Sequence, residues 1–290
     1  MYVDSHIHLT HSAFEGAVPC IKSSVNENRI ECKDRDQLIC ELRNSGITAC
    51  IEPGIDMESN YRIRNLADKY RGFILPAVGI HPTRVAQTSL NKRRELILLA
   101  EDEAVVAIGE IGLDYHYGYM GPFSAARILQ KNWFGWQLKL AYKMQLPVVL
   151  HIRQADNDAI KILRRYKDKL FGGVCHCFNQ GPDIAKVYTE ELGLLLGIGG
   201  VLLQEDSEAL KQTVIDTPLE YLILETDGPY VKPKRPDEVS GKKWKAARNT
   251  SLIIPDIAAR IAELKGIDVE DVARITTENV NRMFKNLVDK

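Results

Sequence analysis

The 290-residue sequence predicts a (β/α)8 barrel carrying a metal site at the C-terminal face of its strands. Three observations lead there. Eight short β-branched or apolar runs punctuate the chain, amphipathic stretches of helical period lie between them, and histidines or carboxylates recur where the runs end. Alternating strands and helices favour a parallel sheet, and eight strands is the number that closes one.

The strand-like runs cover residues 2–8, 47–53, 73–80, 104–111, 147–152, 172–177, 194–198 and 221–226. Between them, 36–44, 58–70, 123–144, 157–167 and 184–191 read as helices, with Ala159, Ile160, Leu163 and Tyr166 recurring at helical spacing in one of them. Two further helices, 253–264 and 269–284, follow the last strand and would complete the outer ring. No repeat, low-complexity tract or linker interrupts the pattern, so residues 1–290 read as a single domain. Two connections, 10–33 and 231–250, exceed ordinary loop length. Long connections in compact domains are more often lids or binding loops than spacers, and in a barrel both would lie on the face where βα loops build active sites.

A hydrophobic content of 45% suffices for a large core, while no apolar run approaches the roughly 20 residues that cross a bilayer. The chain enters Tyr2-Val3-Asp4 without a basic region or an apolar signal core, so a cytoplasmic protein with no membrane partner is expected. Cys20, Cys32, Cys40, Cys50, Cys175 and Cys177 form no Cys-x-x-Cys spacing and read as reduced thiols. A net charge of −1 gives no general attraction to polyanions, so nucleic-acid binding would need a local basic patch. No protein partner can be inferred from this near-neutral composition.

His6 and His8 are two apart on the first predicted strand and therefore point the same way. Glu110 ends the fourth strand, His151 and His176 fall on the fifth and sixth, and Asp227 follows the eighth. A histidine at one strand end is more often a hydrogen-bonded rim residue than a ligand, but six such groups at the same end of a closed sheet point to metal. Three or four nitrogen and oxygen donors hold a zinc-like ion, and mixed sets also suit manganese or magnesium. Six exceed what one catalytic ion needs. Two divalent ions (Zn, Mg or Mn) roughly 3.5–4 Å apart are expected, with Glu110 as the bridging carboxylate. His6, His8, Glu110 and Asp227 would serve one ion, and Glu110, His151 and His176 the other. Such a pair suits in-line displacement at phosphorus, with Asp227 holding the attacking water and accepting its proton.

These residues resemble the TatD-type metal-dependent deoxyribonucleases of the amidohydrolase superfamily. The matching stretches are Asp4-Ser5-His6-Ile7-His8-Leu9, Val78-Gly79-Ile80-His81-Pro82, Ala107-Ile108-Gly109-Glu110-Ile111-Gly112-Leu113-Asp114-Tyr115, Leu146-Pro147-Val148-Val149-Leu150-His151-Ile152-Arg153, His176-Cys177-Phe178 and Leu224-Glu225-Thr226-Asp227-Gly228-Pro229-Tyr230. Phe134 and Gln137-Leu138-Lys139-Leu140-Ala141 also look like the helix before that family's fifth strand. The resemblance implies a TIM barrel with a divalent-metal hydrolase site acting on DNA phosphodiesters, often as an exonuclease. It places His81 near the substrate phosphate. Arg153, beside a ligand, could grip the same group bidentately or form a rim salt bridge. Asn179-Gln180, Gly228 and the long cysteine-bearing segment after the first strand depart from the family pattern.

Residues 231–249 carry Lys232, Lys234, Arg235, Lys242, Lys243, Lys245 and Arg248 against Asp237 and Glu238, seven minus two, an excess of five positive charges. Trp244 lies among them. A cationic track with an aromatic suits a single strand, whose bases stack for roughly 1–3 kcal/mol each. The alternative is a solvated lysine-rich loop with Trp244 packed on a helix. The leading expectation is thus a metal-dependent deoxyribonuclease acting on single-stranded DNA ends. The rival enzyme is an amidohydrolase cleaving a small lactone, amide or phosphoester, for which a metal-bridging lysine would be the sign. A metal-binding scaffold without turnover is the non-enzymatic rival.

Overall fold

A computed structural model describes residues 1–24, 30–116 and 124–284. Residues 25–29 of the first long connection and Phe123, placed by sequence at a helix start, lie outside the described residues. The strands are β1 (Tyr2–Asp4), β2 (Val18–Ile21), β3 (Ile30–Lys33), β4 (Ile47–Pro53), β5 (Ile74–Val78), β6 (Ala107–Asp114), β7 (Val148–Arg153), β8 (Gly173–Cys175), β9 (Leu195–Ile198) and β10 (Leu222–Leu224). The helices are α1 (Arg35–Asn44), α2 (Met57–Lys69), α3 (Lys92–Ala100), α4 (Ala125–Met144), α5 (Asp156–Arg164), α6 (Pro182–Lys186), α7 (Glu208–Asp216), α8 (Gly241–Ala246), α9 (Ile254–Lys265) and α10 (Val269–Met283). Eight strands form one sheet in the order β1-β4-β5-β6-β7-β8-β9-β10, the predicted (β/α)8 barrel. β6 is buried along its whole length, as expected of a parallel strand covered on both faces.

Contacts divide the chain into two compact units. The first comprises Met1–Ile51, Cys177–Ala185 and Gly197–Val280. Within it β1 runs parallel to β4, and the Ser5 N–H donates to Leu224 O at 3.0 Å, joining the first strand to the last. The first strand is shorter than the predicted 2–8. Its regular pairing stops at Asp4 because the amides of Ser5, Ile7 and His8 donate to three different segments, at Leu224, Ile51 and Gly228. Helix α1 opens with a capping box between Asp34 and Gln37 and buries Leu38, Ile39 and Leu42. Helix α9 buries Ile254, Ile257, Ala258 and Ile261 as one stripe and stops at Gly266, whose φ of +63° favours glycine.

Neither long connection is structureless. Within 10–33, β2 and β3 pair as an antiparallel hairpin, and within 231–250 Ser240 caps α8. The hairpin is fastened on two sides. Ile21 N–H donates to Arg248 O at 2.9 Å and Arg248 N–H to Pro19 O at 2.7 Å. Lys22 and Lys33 each meet both Glu31 and Glu41 at 2.6–3.2 Å, a four-charge box that ties the hairpin to α1.

The second unit comprises Glu52–His176, Lys186–Leu196 and the described residues after Val280. Its longest helix, α4, buries Gln130, Trp133, Phe134, Gln137, Leu138 and Ala141 along one face. Arg93 of α3 lies 4.9 and 4.8 Å from the Trp133 and Trp136 ring centroids, so a cation–π contact joins the two helices. Strand β6 ends at Asp114 rather than at the predicted 111. Its register slips between Ile108 and Ile111, after which Ile111–Asp114 resume pairing with β7 and carry the strand three residues farther.

Candidate metal centre

In the first unit, His6 and His8 follow β1 with their Nε2 atoms 3.2 Å apart. Asp227 Oδ1 lies 3.8 Å from His6 Nε2 and 3.6 Å from His8 Nε2. The three side chains are brought together by a clasp between the first and last strands. Fully buried Asp4 accepts from the His6 N–H (3.1 Å), the Thr226 N–H (3.0 Å) and the Thr226 hydroxyl (2.5 Å), while Asp227 N–H donates to His6 O at 2.8 Å. Burial pushes the Asp4 carboxyl up to about 7 despite those hydrogen bonds. Asn249, also fully buried, donates to Thr226 O and Val231 O and so fixes the turn that presents Asp227.

In the second unit, Glu110 Oε1 is the centre of a histidine cluster. His151 Nδ1 lies 2.8 Å from it, His176 Nε2 2.9 Å and His81 Nε2 3.4 Å. His151 Nδ1 and His176 Nε2 are 3.2 Å apart. His151 Nε2 faces Asp114 Oδ2 at 3.1 Å. Burial lowers the proton affinity of His81, with the charge of His151 acting in the same direction. Burial acts the same way on His151, but its hydrogen bonds to Asp114 and Glu110 outweigh it and raise the ring. Burial raises Asp114, and the contacts with His151 and the His116 N–H outweigh that and hold it below the usual carboxylate range.

Buried amides hold the strand ends that carry these groups. Gln130 of α4 accepts from Asp114 N–H and donates to Asp114 O, and Gln137, on the same helical face, does likewise for Ile80. Asn60 of α2 treats Gly79 in the same manner. Gly79 has to be glycine, since a Cβ there would come within 2.7 Å of the Gly109 carbonyl carbon.

The six metal-type residues predicted from sequence thus fall into two groups, His6, His8 and Asp227 in one and Glu110, His151 and His176 in the other. His81, expected at the phosphate, turns its ring onto Glu110. Asp114 was not legible as a partner of His151, although its spacing of four from Glu110 on one strand puts both on the same face. Arg153 is exposed at the end of β7. Trp244 is half-buried and lines a cavity of about 550 Å³ with Ile21, Pro233, Pro236 and Pro255. Arg248 spends its guanidinium on the carbonyls of Ala13 and Ala246, and Lys234 pairs with Glu205, so part of the basic segment serves the fold. Cys175 is buried in β8.

Ring nitrogens 3.2 Å apart that face the same carboxylate oxygen form a donor set suited to a divalent cation, and the residues present fit one in each group. A (β/α)8 barrel gathering histidines and carboxylates beyond its strand ends is the architecture of metal-dependent hydrolases. The family model for TatD related DNase matches residues 3–285, and the chain belongs to that family. It is 28% identical over 285 residues to the metal-dependent hydrolase YabD of Bacillus subtilis, covering 98% of this chain and 99% of that one. It is 32% identical over 256 residues to the 3'-5' ssDNA/RNA exonuclease TatD of Erwinia tasmaniensis, covering 87% and 94%. The crystal structure of YjjV, a TatD homologue from Escherichia coli K12, shares the fold with a TM-score of 0.81 at 24% identity, covering 98% of this chain and 97% of that one. The protein is a metal-dependent hydrolase. Among the described residues no helix is long and apolar enough to cross a membrane.

Proposed function

We propose that the protein removes nucleotides from the ends of single-stranded DNA, using two divalent ions of the Zn, Mg or Mn class that His6, His8 and Asp227, and Glu110, His151 and His176, would hold. The observation that carries this reading is the gathering of three imidazoles on one Glu110 oxygen in the second unit, together with the donor group of His6, His8 and Asp227 in the first. The fourth barrel strand carries this glutamate and no lysine, which favours a phosphodiester over the lactones and amides of lysine-bridged relatives. The Erwinia relative supports a 3′ end as the starting point.

When bound, the ions lower the pKa of a water and offset charge gathering on the phosphoryl oxygens. Asp227 takes the proton from the attacking water. Arg153 grips the phosphate through its planar fork, and His81, whose burial favours the neutral ring, stays on the Glu110 side of the substrate. Trp244 offers a face to a base, with Lys242 and Lys243 exposed on its segment, while Arg248 serves the fold. Asp114 positions His151.

The test is digestion of single-stranded DNA labelled at the 5′ or the 3′ end, with Mg²⁺, Mn²⁺ or Zn²⁺, beside EDTA and Glu110→Gln controls. Progressive metal-dependent shortening from the 3′ end, abolished in both controls, is expected. Folded, metal-loaded protein that leaves every oligonucleotide intact would transfer the assignment to a small-molecule hydrolase.

A further inference from the structure

Arg127 stands in the first turn of α4, one turn before the glutamine that holds Asp114. Gln130 is three residues on and so on the same face, and it brackets the Asp114 backbone at 2.9 and 3.0 Å. The Arg127 guanidinium lies over the Tyr115 ring, 4.0 Å from its centroid. Its Nε is buried with no hydrogen-bond partner, and among the described residues no carboxylate pairs with it. Residues 117–123, between Tyr115 and α4, contain no Asp or Glu.

The acid nearest in this network is already engaged. Asp158 binds Lys131 at 2.7 Å and accepts the Tyr115 hydroxyl at 3.0 Å, so Tyr115 is fixed from below while its ring carries Arg127. Tyr115 N–H also donates to Arg153 O at 2.9 Å. Tyr115 is therefore tied to both arginine-bearing elements, just beyond the Asp114 carboxylate that meets His151. A partly desolvated guanidinium without an anion is held ready for one, and its planar fork matches a phosphate.

We propose that Arg127 grips a backbone phosphate of the substrate strand other than the one being cut. This rests on the nuclease reading above and adds a determinant of polymer recognition to it: a nucleic-acid chain offers a further phosphate, and a small ester does not. Arg153 takes the phosphate nearer His151, and Arg127 takes one farther along, beyond Tyr115.

The experiment is a charge-removal scan with the metal-loaded enzyme. A set of single-stranded oligonucleotides, each with one neutral methylphosphonate linkage at a different place, is compared by kcat/KM on wild type, Arg127→Gln and Arg127→Lys. In wild type one non-scissile position should cost roughly tenfold or more, as loss of a hydrogen bond to a charged group does. Arg127→Gln should show no further loss at that position, and its log(kcat/KM) against log salt should be shallower by about 0.7, the value of one single-strand phosphate contact. Because each variant is compared with itself, a general loss of activity cancels. If Arg127→Gln is inactive throughout, Arg127→Lys carries the test, with the same positional loss expected to shrink. Equal losses at every position in wild type and variant would overturn the role of Arg127 while leaving the nuclease reading standing. A wild-type enzyme that cleaves no oligonucleotide would remove both.

Discussion

Asp114 Oδ2 and His151 Nε2 lie 3.1 Å apart, on the side of the imidazole opposite Glu110, whose Oε1 is 2.8 Å from Nδ1. With His151 as a metal ligand, the Asp114 contact would assign the ring's remaining proton to Nε2 and leave Nδ1 free to bind the ion. Asp114→Asn should therefore weaken metal binding at this group by about 10- to 100-fold, the usual effect of removing a carboxylate behind a ligating histidine. Chelator competition reads this directly, and unchanged affinity would remove Asp114 from the positioning role.

Asp227→Asn keeps a side-chain oxygen near His6 and His8 but cannot take a proton from water. Turnover should fall by about 10²–10⁴-fold, the range for loss of a general base. Metal content, measured by elemental analysis, should stay largely intact. Near wild-type rates would place the base elsewhere.

Gly197→Ala should destabilise the protein. A Cβ there would collide with Glu225 Oε2, and Glu225 is the fully buried carboxylate that accepts from Cys177 N–H at 2.5 Å. Overpacking of this kind costs about 1–3 kcal/mol. Chemical denaturation should show a lowered midpoint at unchanged slope, and an unaltered midpoint would mean that Glu225 can move freely.

The Asp158 carboxyl is held below its ordinary value of 3.8, chiefly by its hydrogen bond from Lys131 and also by that from Tyr115. A depressed carboxylate stabilises the folded state above the unfolded value, and that contribution disappears as pH falls through the folded one. The stability difference between wild type and Asp158→Asn should be constant near neutral pH and shrink below about pH 4. Thermal melts across pH 2.5–7, on the order of six points, check this against a flat difference.

The strands were legible because each buried run is bounded by a helix of different period, and the metal residues because they recur at the run ends. What the sequence hid depends on pairing between distant segments. The predicted strand stops at 111, whereas β6 continues to Asp114 paired with β7 from Ile111 onward. The β2–β3 hairpin is built from four-residue strands that include Pro19, too short for a period to emerge. That Asp158 is taken by Lys131 and not by Arg127, four residues earlier on the same helix, is a matter of side-chain reach that spacing along α4 cannot reveal. His81 lies in a matching motif, yet its ring meets Glu110 through Nε2 while Nδ1 meets the Thr83 hydroxyl at 2.7 Å, a pairing that the motif alone does not show.

The clasp of Asp4 on Thr226 spans 222 residues of chain. At a synthesis rate of about 5–20 residues per second, roughly 10–45 s separate the appearance of its two halves on the ribosome. During that interval β1 lacks its neighbour β10, leaving one edge open to other nascent chains. His6 and His8 meanwhile form a histidine pair with no Asp227, a weak chelate that a passing cation can sample and leave. The Glu110, His151 and His176 group is complete once residue 176 has been made, whereas the His6 and His8 group waits for Asp227, so the two donor groups are finished about fifty residues apart along the chain.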